Sequence, residues 1–589
     1  MEVIEKVLWM VGGIALFLYG MHMMGEGLSK VSGGKLESIL ERLTNTPVKA
    51  VLVGAGVTAV IQSSAATIVM VVGFVNSGIM KLGQAVNVII GANVGTTITA
   101  WLLSLSGIKG GGFLSLLKPS SFAPVLAIVG VVLVSFMKKE KHHVVGTIMA
   151  GFGILMIGMT IMSDAVSPLA DVPEFTNILT MFSNPILGML AGLILTAVIQ
   201  SSSASVGILQ VLCNTGAVTF GTAIPIIMGQ NVGTCITALI SSITANREAK
   251  RAALLHLYYN ILKTSLFMAI FYSLNAIIHF AFLDNPISAI GVAVVHSLFN
   301  IVACIVLLPF SGLLVKFVYW TVPNKTTEEE ISPVGVELKT LDTRFLDNPG
   351  VAIERSRRVA ITMAEYTRKA IFTAMELLQH YDPEKAEEVA RLESDIDRFE
   401  DEIGTYLVKI SGKEMPEKES HMLSIILHCI GDFERISDHA LNIKEAAEEM
   451  QEKGMSFSDK AVEELNIYTN AIKEIVNLAF TAFENDDRQS ADMVEPLEEV
   501  IDQLSIEMKK RHIKRLRKGK CTIELGFVLS DLTTNYERVA DHCSNIAVCL
   551  LQVKEDQFEA HEYLDALKDG DDIGFRGKVL AYGQKYMLP

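Results

Sequence analysis

Residues 58–64 read Thr58-Ala59-Val60-Ile61-Gln62-Ser63-Ser64, and the same seven letters return as Thr196-Ala197-Val198-Ile199-Gln200-Ser201-Ser202. The offset of 138 residues holds well beyond this heptapeptide. Gly20-Met21 becomes Gly158-Met159, Pro47 becomes Pro185 and Asn76 becomes Asn214. Asn93-Val94-Gly95-Thr96 returns as Asn231-Val232-Gly233-Thr234. Shared apolar composition does not keep polar letters in register over ~80 residues without an indel, so this half of the chain is duplicated.

The duplicated half is a membrane sequence. Of the 589 residues 50% are hydrophobic and 20% charged, too apolar for a soluble chain and too long for one domain. The long apolar stretches lie before Trp320. Val7–Met24 can span a bilayer, and it follows an acidic start with no evident cleavage site, so it reads as a retained span. The formal charge of −15 leaves no basic stripe, which excludes nucleic acid as a partner. Seven scattered cysteines without a Cys-x-x-Cys pair exclude a disulfide framework and a zinc finger.

Loop charge orients the two copies. Lys30, Lys35, Arg42 and Lys49 follow the first span, whereas Asp164, Asp171 and Glu174 follow its counterpart. By the positive-inside rule the first loop is cytoplasmic and the second outside, so the second copy is inverted. Seven crossings are expected, at 7–27, 85–105, 121–137, 144–164, 223–244, 253–281 and 287–319, with 50–80 and 188–216 entering and leaving on one side. Lys138-Lys139-Glu140-Lys141, Arg247, Lys250, Arg251 and the whole C-terminal half then fall in the cytoplasm. The expected organisation is all-α: a transmembrane domain over 1–320 (repeats 7–137 and 144–281, extra helix 287–319), a linker over 321–349, a helical domain over 350–555 and a polar tail over 556–589.

Polar residues interrupt the apolar repeats at matched places. Gln62-Ser63-Ser64-Ala65-Ala66-Thr67 and Gln200-Ser201-Ser202-Ser203-Ala204-Ser205 sit centrally among Val, Ile, Leu, Ala and Gly. Irregular backbone at that depth needs protein or a water-filled cavity around it. A turn there exposes helix N-terminal N–H groups beside hydroxyls, a nest for an anion. Carbonyl, amide and hydroxyl oxygens in the same place suit a hard cation such as Na+. Across 51–105 the only charged residue is Lys81, and across 186–244 there is none. A bound oxyanion would thus lack protein counter-charge, which makes co-bound cations its natural partners. Asn93 and Asn231, each before Val-Gly-Thr, either bind cations or terminate a helix. His256 with Asn260, and His296 with Asn300, share i, i+4 spacing and are expected to make interhelical polar contacts. Lys263 is either inward-facing or snorkelling.

Paired Gln-Ser-Ser motifs, each followed 31 residues later by Asn-Val-Gly-Thr, resemble the type II sodium–phosphate cotransporters in their bacterial form, over residues 10–310. The resemblance implies inverted repeats whose re-entrant hairpins bind phosphate and sodium. By position these are Gln62, Ser63 and Ser64, with Gln200, Ser201, Ser202 and Ser203. Ala65 stands where the motif has a third serine, and Thr67 is the candidate replacement hydroxyl. Asn93, Thr96, Asn231 and Thr234 complete the candidate phosphate and sodium set.

Beyond Val351 the apolar pattern is that of bundle helices, recurring every three or four residues in Leu423, Ile426, Ile430, Phe433, Ile436, Ala440 and Ile443. This half is duplicated too. Glu434-Arg435, Asp438-His439 and Asn442-Ile443 return 103 residues later as Glu537-Arg538, Asp541-His542 and Asn545-Ile546. Glu393 with Asp397 similarly matches Glu498 with Asp502. A spacing of four sets both carboxylates on one helix face, and two such faces make an oxygen site for Mg, Mn, Fe or Zn. The alternative is that Arg435 and Arg538 pair these acids. Residues 350–555 resemble the PhoU family of phosphate-signalling proteins, which implies metal clusters at Glu434/Asp438 and Glu537/Asp541 and phosphate-linked regulation.

The sequence thus leads to a sodium-coupled transporter of inorganic phosphate in the inner (plasma) membrane, working by alternating access. Its expected partners are phosphate, Na+, the bilayer, phosphate-signalling proteins and a second copy of the chain. No activating His/Asp set accompanies the membrane serines, and no Gly-x-x-x-x-Gly-Lys loop is present, so no enzyme is expected. Phosphate export, and a membrane sensor without substantial flux, are the competing readings.

Overall fold

The computed structural model describes residues 2–32, 40, 43–105, 119–137, 139–168, 172, 177, 179, 181–323, 333–552 and 573–589. Lys35, Arg42, Lys138, Asp171, Glu174, the acidic run 326–330 and the tail segment 556–572 lie outside them. Every regular element among the described residues is helical, with one isolated bridge between Thr219 and Pro286. The chain divides into two compact units, Met1–Glu330 with Asp342–Val351, and Ile331–Leu341 with Ala352–Pro589.

The first unit runs α1 (Glu2–Ser32), α2 (Pro47–Ile61), α3 (Ser64–Asn76), α4 (Leu82–Ser104), α5 (Pro119–Phe136), α6 (Glu140–Val166), α7 (Pro185–Ile199), α8 (Ser202–Asn214), α9 (Phe220–Gly233), α10 (Cys235–Ser241), α11 (Arg247–Ile278), α12 (Ala289–Leu307) and α13 (Ser311–Thr321). Among the described residues six helical stretches are long and apolar enough to cross a membrane, including α12 and α13 taken together. Of the seven expected crossings, α5 is the shorter one, an apolar helix over Phe122–Phe136. The repeated prolines Pro47 and Pro185 are helix starts: Thr46 caps α2 and Asn184 caps α7, each just before a first-turn proline whose missing N–H costs nothing there.

Close helix contacts explain several of the duplicated glycines. Gly13 meets Gly158 while Gly20 meets Gly151, so contacts climb α1 as they descend α6 and the two equivalent helices run antiparallel. Gly91 and Gly95 of α4 lie on the α2 backbone at Val51 and Ala55. Gly229 and Gly233 of α9 lie in the same way on α7 at Met189 and Leu193. A Cβ at any of these four positions would overlap a backbone carbonyl, so small residues are what permit the approach.

The stretch expected as a linker is anchored at both of its described ends. Arg251 donates to the Val322 carbonyl (2.9 Å) and Arg247 to that of Pro323 (2.9 Å). Past the short α14 (Pro333–Leu338), Asp342 accepts a 2.6 Å bond from the Asn76 side chain at the end of α3. Phe345 packs against Phe74, ring centroids 5.2 Å apart and tilted by 41°, and is buried. Two phenylalanines and one hydrogen bond do not raise local hydropathy, which is why this segment looks like a tether in the sequence.

The second unit holds two three-helix sets. These are α15 (Pro349–Leu377), α16 (Pro383–Ser411) and α17 (Glu417–Glu452), then α18 (Asp459–Asn485), α20 (Val494–Arg517) and α21 (Ile523–Gln552), with the short α19 (Arg488–Ala491) between. Phe433 packs at the centre against Phe480 and Phe483, at 5.0 and 5.1 Å. The stretch expected as a polar tail contains a helix, α22 (Ile573–Lys585), packed on α20. Tyr582, Tyr586 and Leu588 are buried, and the Tyr586 hydroxyl bonds to Glu474. Two tyrosines carry this docking, and neither makes a sequence look apolar.

Candidate functional site

Each Gln-Ser-Ser motif breaks a helix in the same way. Gln62 sits at φ 60°, ψ 20° and Gln200 at φ 57°, ψ 21°, both left-handed and both ending a helix. The following serines, Ser63 and Ser201, return to extended backbone and cap the next helix through their Oγ atoms, which accept from Ala66 N (3.2 Å) and Ala204 N (3.3 Å). Thr67 N and Ser205 N take the first intrahelical carbonyls, those of Ser63 and Ser201. By helix geometry this leaves the N–H groups of Ser64 and Ala65, and of Ser202 and Ser203, without an intrahelical acceptor. Four backbone donors at two helix N-termini, beside the serine hydroxyls, are a donor set of the kind that suits an anion.

The two tips differ in their surroundings. Gln62, Ser64, Ser202 and Ser203 are buried, whereas Gln200 is exposed. The Gln62 Nε2 bonds back to the Ala59 carbonyl, and its Oε1 has no hydrogen-bond partner. Thr67 bonds inside its own hairpin: it donates to the Ser63 carbonyl (3.0 Å) and accepts from Thr58 Oγ1 (3.1 Å), which leaves one hydroxyl lone pair for a further donor or a cation. The equivalent pair in the second copy, Thr196 and Ser205, is buried with both hydroxyls unpartnered. Gln230 donates to the Ser205 carbonyl (3.0 Å) and leaves its own Oε1 unpartnered. Thr196, Ser205 and Gln230 are buried oxygens suited to a hard cation. Thr196 lies in the repeated heptapeptide and Ser205 in the polar interruption, but only the burial of their hydroxyls marks them as candidate ligands.

Asn93 and Asn231 meet at one point, and Lys263 fills it. Its Nζ donates to Oδ1 of Asn93 (3.1 Å), Asn231 (3.1 Å) and Asn300 (2.8 Å). Each of these asparagines spends its Nδ2 on the carbonyl four residues back in its own helix, at 2.9, 2.8 and 3.0 Å. Because Asn93 lies between Gly91 and Gly95, and successive helical residues turn by about 100°, it faces away from the α2 contact. The repeated Gly-x-Asn-Val-Gly thus has a packing face and a binding face. α4 continues well past Asn93, whereas α9 ends at Gly233, two residues after Asn231; the Oδ1 atoms of both asparagines accept from Lys263. Thr96 and Thr234 instead bond to their own helices, at the Ala92 (3.0 Å) and Asn231 (2.6 Å) carbonyls. Lys263 faces inward and does not snorkel. Asn260 reaches Cys235 on a neighbouring helix, but both ring nitrogens of His256 and the Nδ1 of His296 are without partners, contrary to the expected interhelical contacts.

In the second unit the acids gather in two groups of three. Glu393 and Asp397 of α16 meet Asp438 of α17, and Glu498 and Asp502 of α20 meet Asp541 of α21, each set with ligand atoms within 4.8 Å of one another. Glu434 and Glu537 stand outside these groups. Arg435 approaches Glu434 (3.5 Å) and Asp438 (3.9 Å) and Arg538 pairs with Asp541 (3.3 Å), as the alternative reading expects, while Ser505 (3.1 Å) and Lys509 (3.5 Å) hold Glu537. Burial, then the Asp397 and Asp438 charges, hold Glu393 above the usual carboxylate range. Burial, then Asp438 and Asp401, do the same to Asp397. Carboxylates that repel one another in this way fit a hard divalent cation, which would relieve both effects.

Comparison with known proteins follows the same two halves. The family profile described as Na+/Pi-cotransporter matches residues 16–164 and again 156–296, and the PhoU domain profile matches 360–447 and 465–550. "Putative inorganic phosphate export protein YjbB" of Escherichia coli (strain K12) is 24% identical over 561 residues, 95% of this chain and 99% of its own length. "Uncharacterized protein YqeW" of Bacillus subtilis (strain 168) is 30% identical over 313 residues, 53% of this chain and 97% of its own. "Phosphate-specific transport system accessory protein PhoU homolog 1" of Thermotoga maritima is 26% identical over 200 residues, 34% of this chain and 85% of its own.

Proposed function

For a chain that belongs to the Na+/Pi-cotransporter family and carries PhoU domains in its second half, we propose transport of inorganic phosphate coupled to Na+ by alternating access. Phosphate binds at the two Gln-Ser-Ser tips through the N–H groups of Ser64, Ala65, Ser202 and Ser203 and the neighbouring hydroxyls. Na+ binds among the unpartnered oxygens of Thr196, Ser205 and Gln230. The observation that carries the reading is the pair of identical left-handed breaks at Gln62 and Gln200, which opens two helix N-termini inside apolar sequence.

The antiparallel course of α1 and α6 supports inverted repeats, and the unequal exposure of Gln62 and Gln200 fits a state with one side closed. No bond to phosphorus is made or broken. The acidic bundle lies in the cytoplasm in this reading and tunes transport through divalent metal at Glu393/Asp397/Asp438 and Glu498/Asp502/Asp541, with Glu434 and Glu537 as flanking acids. Export is the second reading, favoured by the printed name of the Escherichia coli relative, which matches along nearly the whole chain.

Radiolabelled phosphate flux in proteoliposomes with an imposed Na+ gradient tests both. Flux that follows the gradient, and falls strongly in Ser64→Ala and Ser202→Ala, is the expected result. Flux unchanged in choline would remove sodium coupling, and no flux in either direction would remove transport.

A further inference from the structure

A lysine sits where the two repeats meet, although the stretches 51–105 and 186–244 hold one charged residue between them, Lys81. The Lys263 ammonium is 1% exposed, and its three N–H donors are matched by three carboxamide oxygens. One comes from each repeat, at equivalent positions, and the third from α12. The amide orientations follow from chemistry: an ammonium has no acceptor, so each asparagine must turn its oxygen inward, and each Nδ2 finds a helix carbonyl when it does. The Tyr259 and Phe299 rings face the same nitrogen at 5.2 and 5.1 Å. Among the described residues no carboxylate is paired with it.

Three converging oxygens from three helices are the donor set of a small hard cation. Here the cation is part of the chain. Its dipolar ligands and ring faces offset some of the cost of burial, but a net charge remains without an opposite partner. An anion entering between the repeats would supply that partner.

We propose that the Lys263 ammonium is a resident coupling cation, filling the oxygen site of Asn93, Asn231 and Asn300 in place of a free Na+ and providing fixed positive charge for bound phosphate. The proposal rests on the transport reading above and refines it: sodium at other oxygens still couples, with one ion fewer per phosphate than the site geometry would otherwise take. It also makes Lys263 a determinant of ion specificity, because a tethered ammonium holds this position whatever the Na+ concentration.

The test vacates the site. Lys263→Ala leaves the three oxygens open to Na+, Lys263→Gln leaves two donors and no charge, and Lys263→Arg keeps the charge. In proteoliposomes, Lys263→Ala should need more Na+ for the same phosphate flux, with the Hill coefficient for Na+ raised by about one. Lys263→Arg should not acquire that requirement. In detergent, the melting temperature of Lys263→Ala should rise by about 2–4 °C from Na+-free choline buffer to saturating Na+, beyond any rise in wild type.

Neutral variants that fold and keep the wild-type Na+ dependence in both assays would overturn the proposal. Should Lys263→Ala not fold, Lys263→Gln carries the flux comparison: an unchanged Na+ requirement overturns the proposal, a raised one supports it. Absence of phosphate flux in wild type would fell the transport reading alone, since the melting comparison reads cation binding at the vacated oxygens directly.

Discussion

Gln62 combines a backbone role with a side-chain role, and glycine separates them. A non-glycine residue in the left-handed region costs about 1–2 kcal/mol, and Gln62 is held there at φ 60°. Gln62→Gly removes that strain and returns about 0.5–1 kcal/mol of it through the greater freedom of glycine in the unfolded chain. The net effect on stability is therefore a gain of about 0–1.5 kcal/mol, with the helix break kept. What disappears is the buried, unpartnered Oε1 with its amide. If that carboxamide contacts phosphate or its cation, a hydrogen bond to a charged group of about 1.5–3 kcal/mol is lost. Apparent phosphate affinity then falls by about 10–150-fold. Melting temperature and radiolabelled phosphate flux are measured on the same preparation of Gln62→Gly, with Gln62→Val as the opposite control. Valine, branched at Cβ, resists the left-handed backbone and should lower the melting temperature as well as flux. A Gln62→Gly protein with wild-type stability and wild-type flux would refute a ligand role for the side chain.

Two further outcomes concern the acidic bundle and the strap. The carboxyls of Glu393 and Asp397 are raised in the folded protein, so the fold binds their protons more tightly than the unfolded chain does. Metal-free protein should thus lose stability as pH climbs from ordinary carboxylate values through the raised ones; Mn2+ should restore it at neutral pH, and Glu393→Gln with Asp438→Asn should abolish that Mn2+ shift in a melting series. Asp342→Ala with Phe345→Ala removes the strap's bond to Asn76 and its ring contact with Phe74, so amide exchange across Thr343–Asp347 should quicken about tenfold or more, and unchanged protection would show that other contacts hold the segment.

The helical hairpins were legible because polar letters recur in register in an apolar field, and the duplicated prolines and glycines mark helix starts and close crossings. The left-handed turn was not, since glutamine carries no preference for it. Lys263 stood out as an odd charge, yet its three acceptors lie 170, 32 and 37 residues away in sequence. Only tertiary packing brings Asn93, Asn231 and Asn300 to one nitrogen. The glutamates show the converse. Spacing singled out all four Glu/Asp pairs, while the folded helices gather Glu393 and Glu498 with Asp397, Asp438, Asp502 and Asp541 and leave Glu434 and Glu537 outside the two groups.

Asn76 ends α3, the helix that follows the break at Gln62, and its side chain donates to Asp342 and accepts from the backbone N–H of Asn246. Seven residues after Asp342 the chain enters α15 at Pro349. When α3 shifts, this knot must either travel with it or come undone. In the transport reading, a displacement of α3 would be felt along the chain as far as Pro349, where α15 begins.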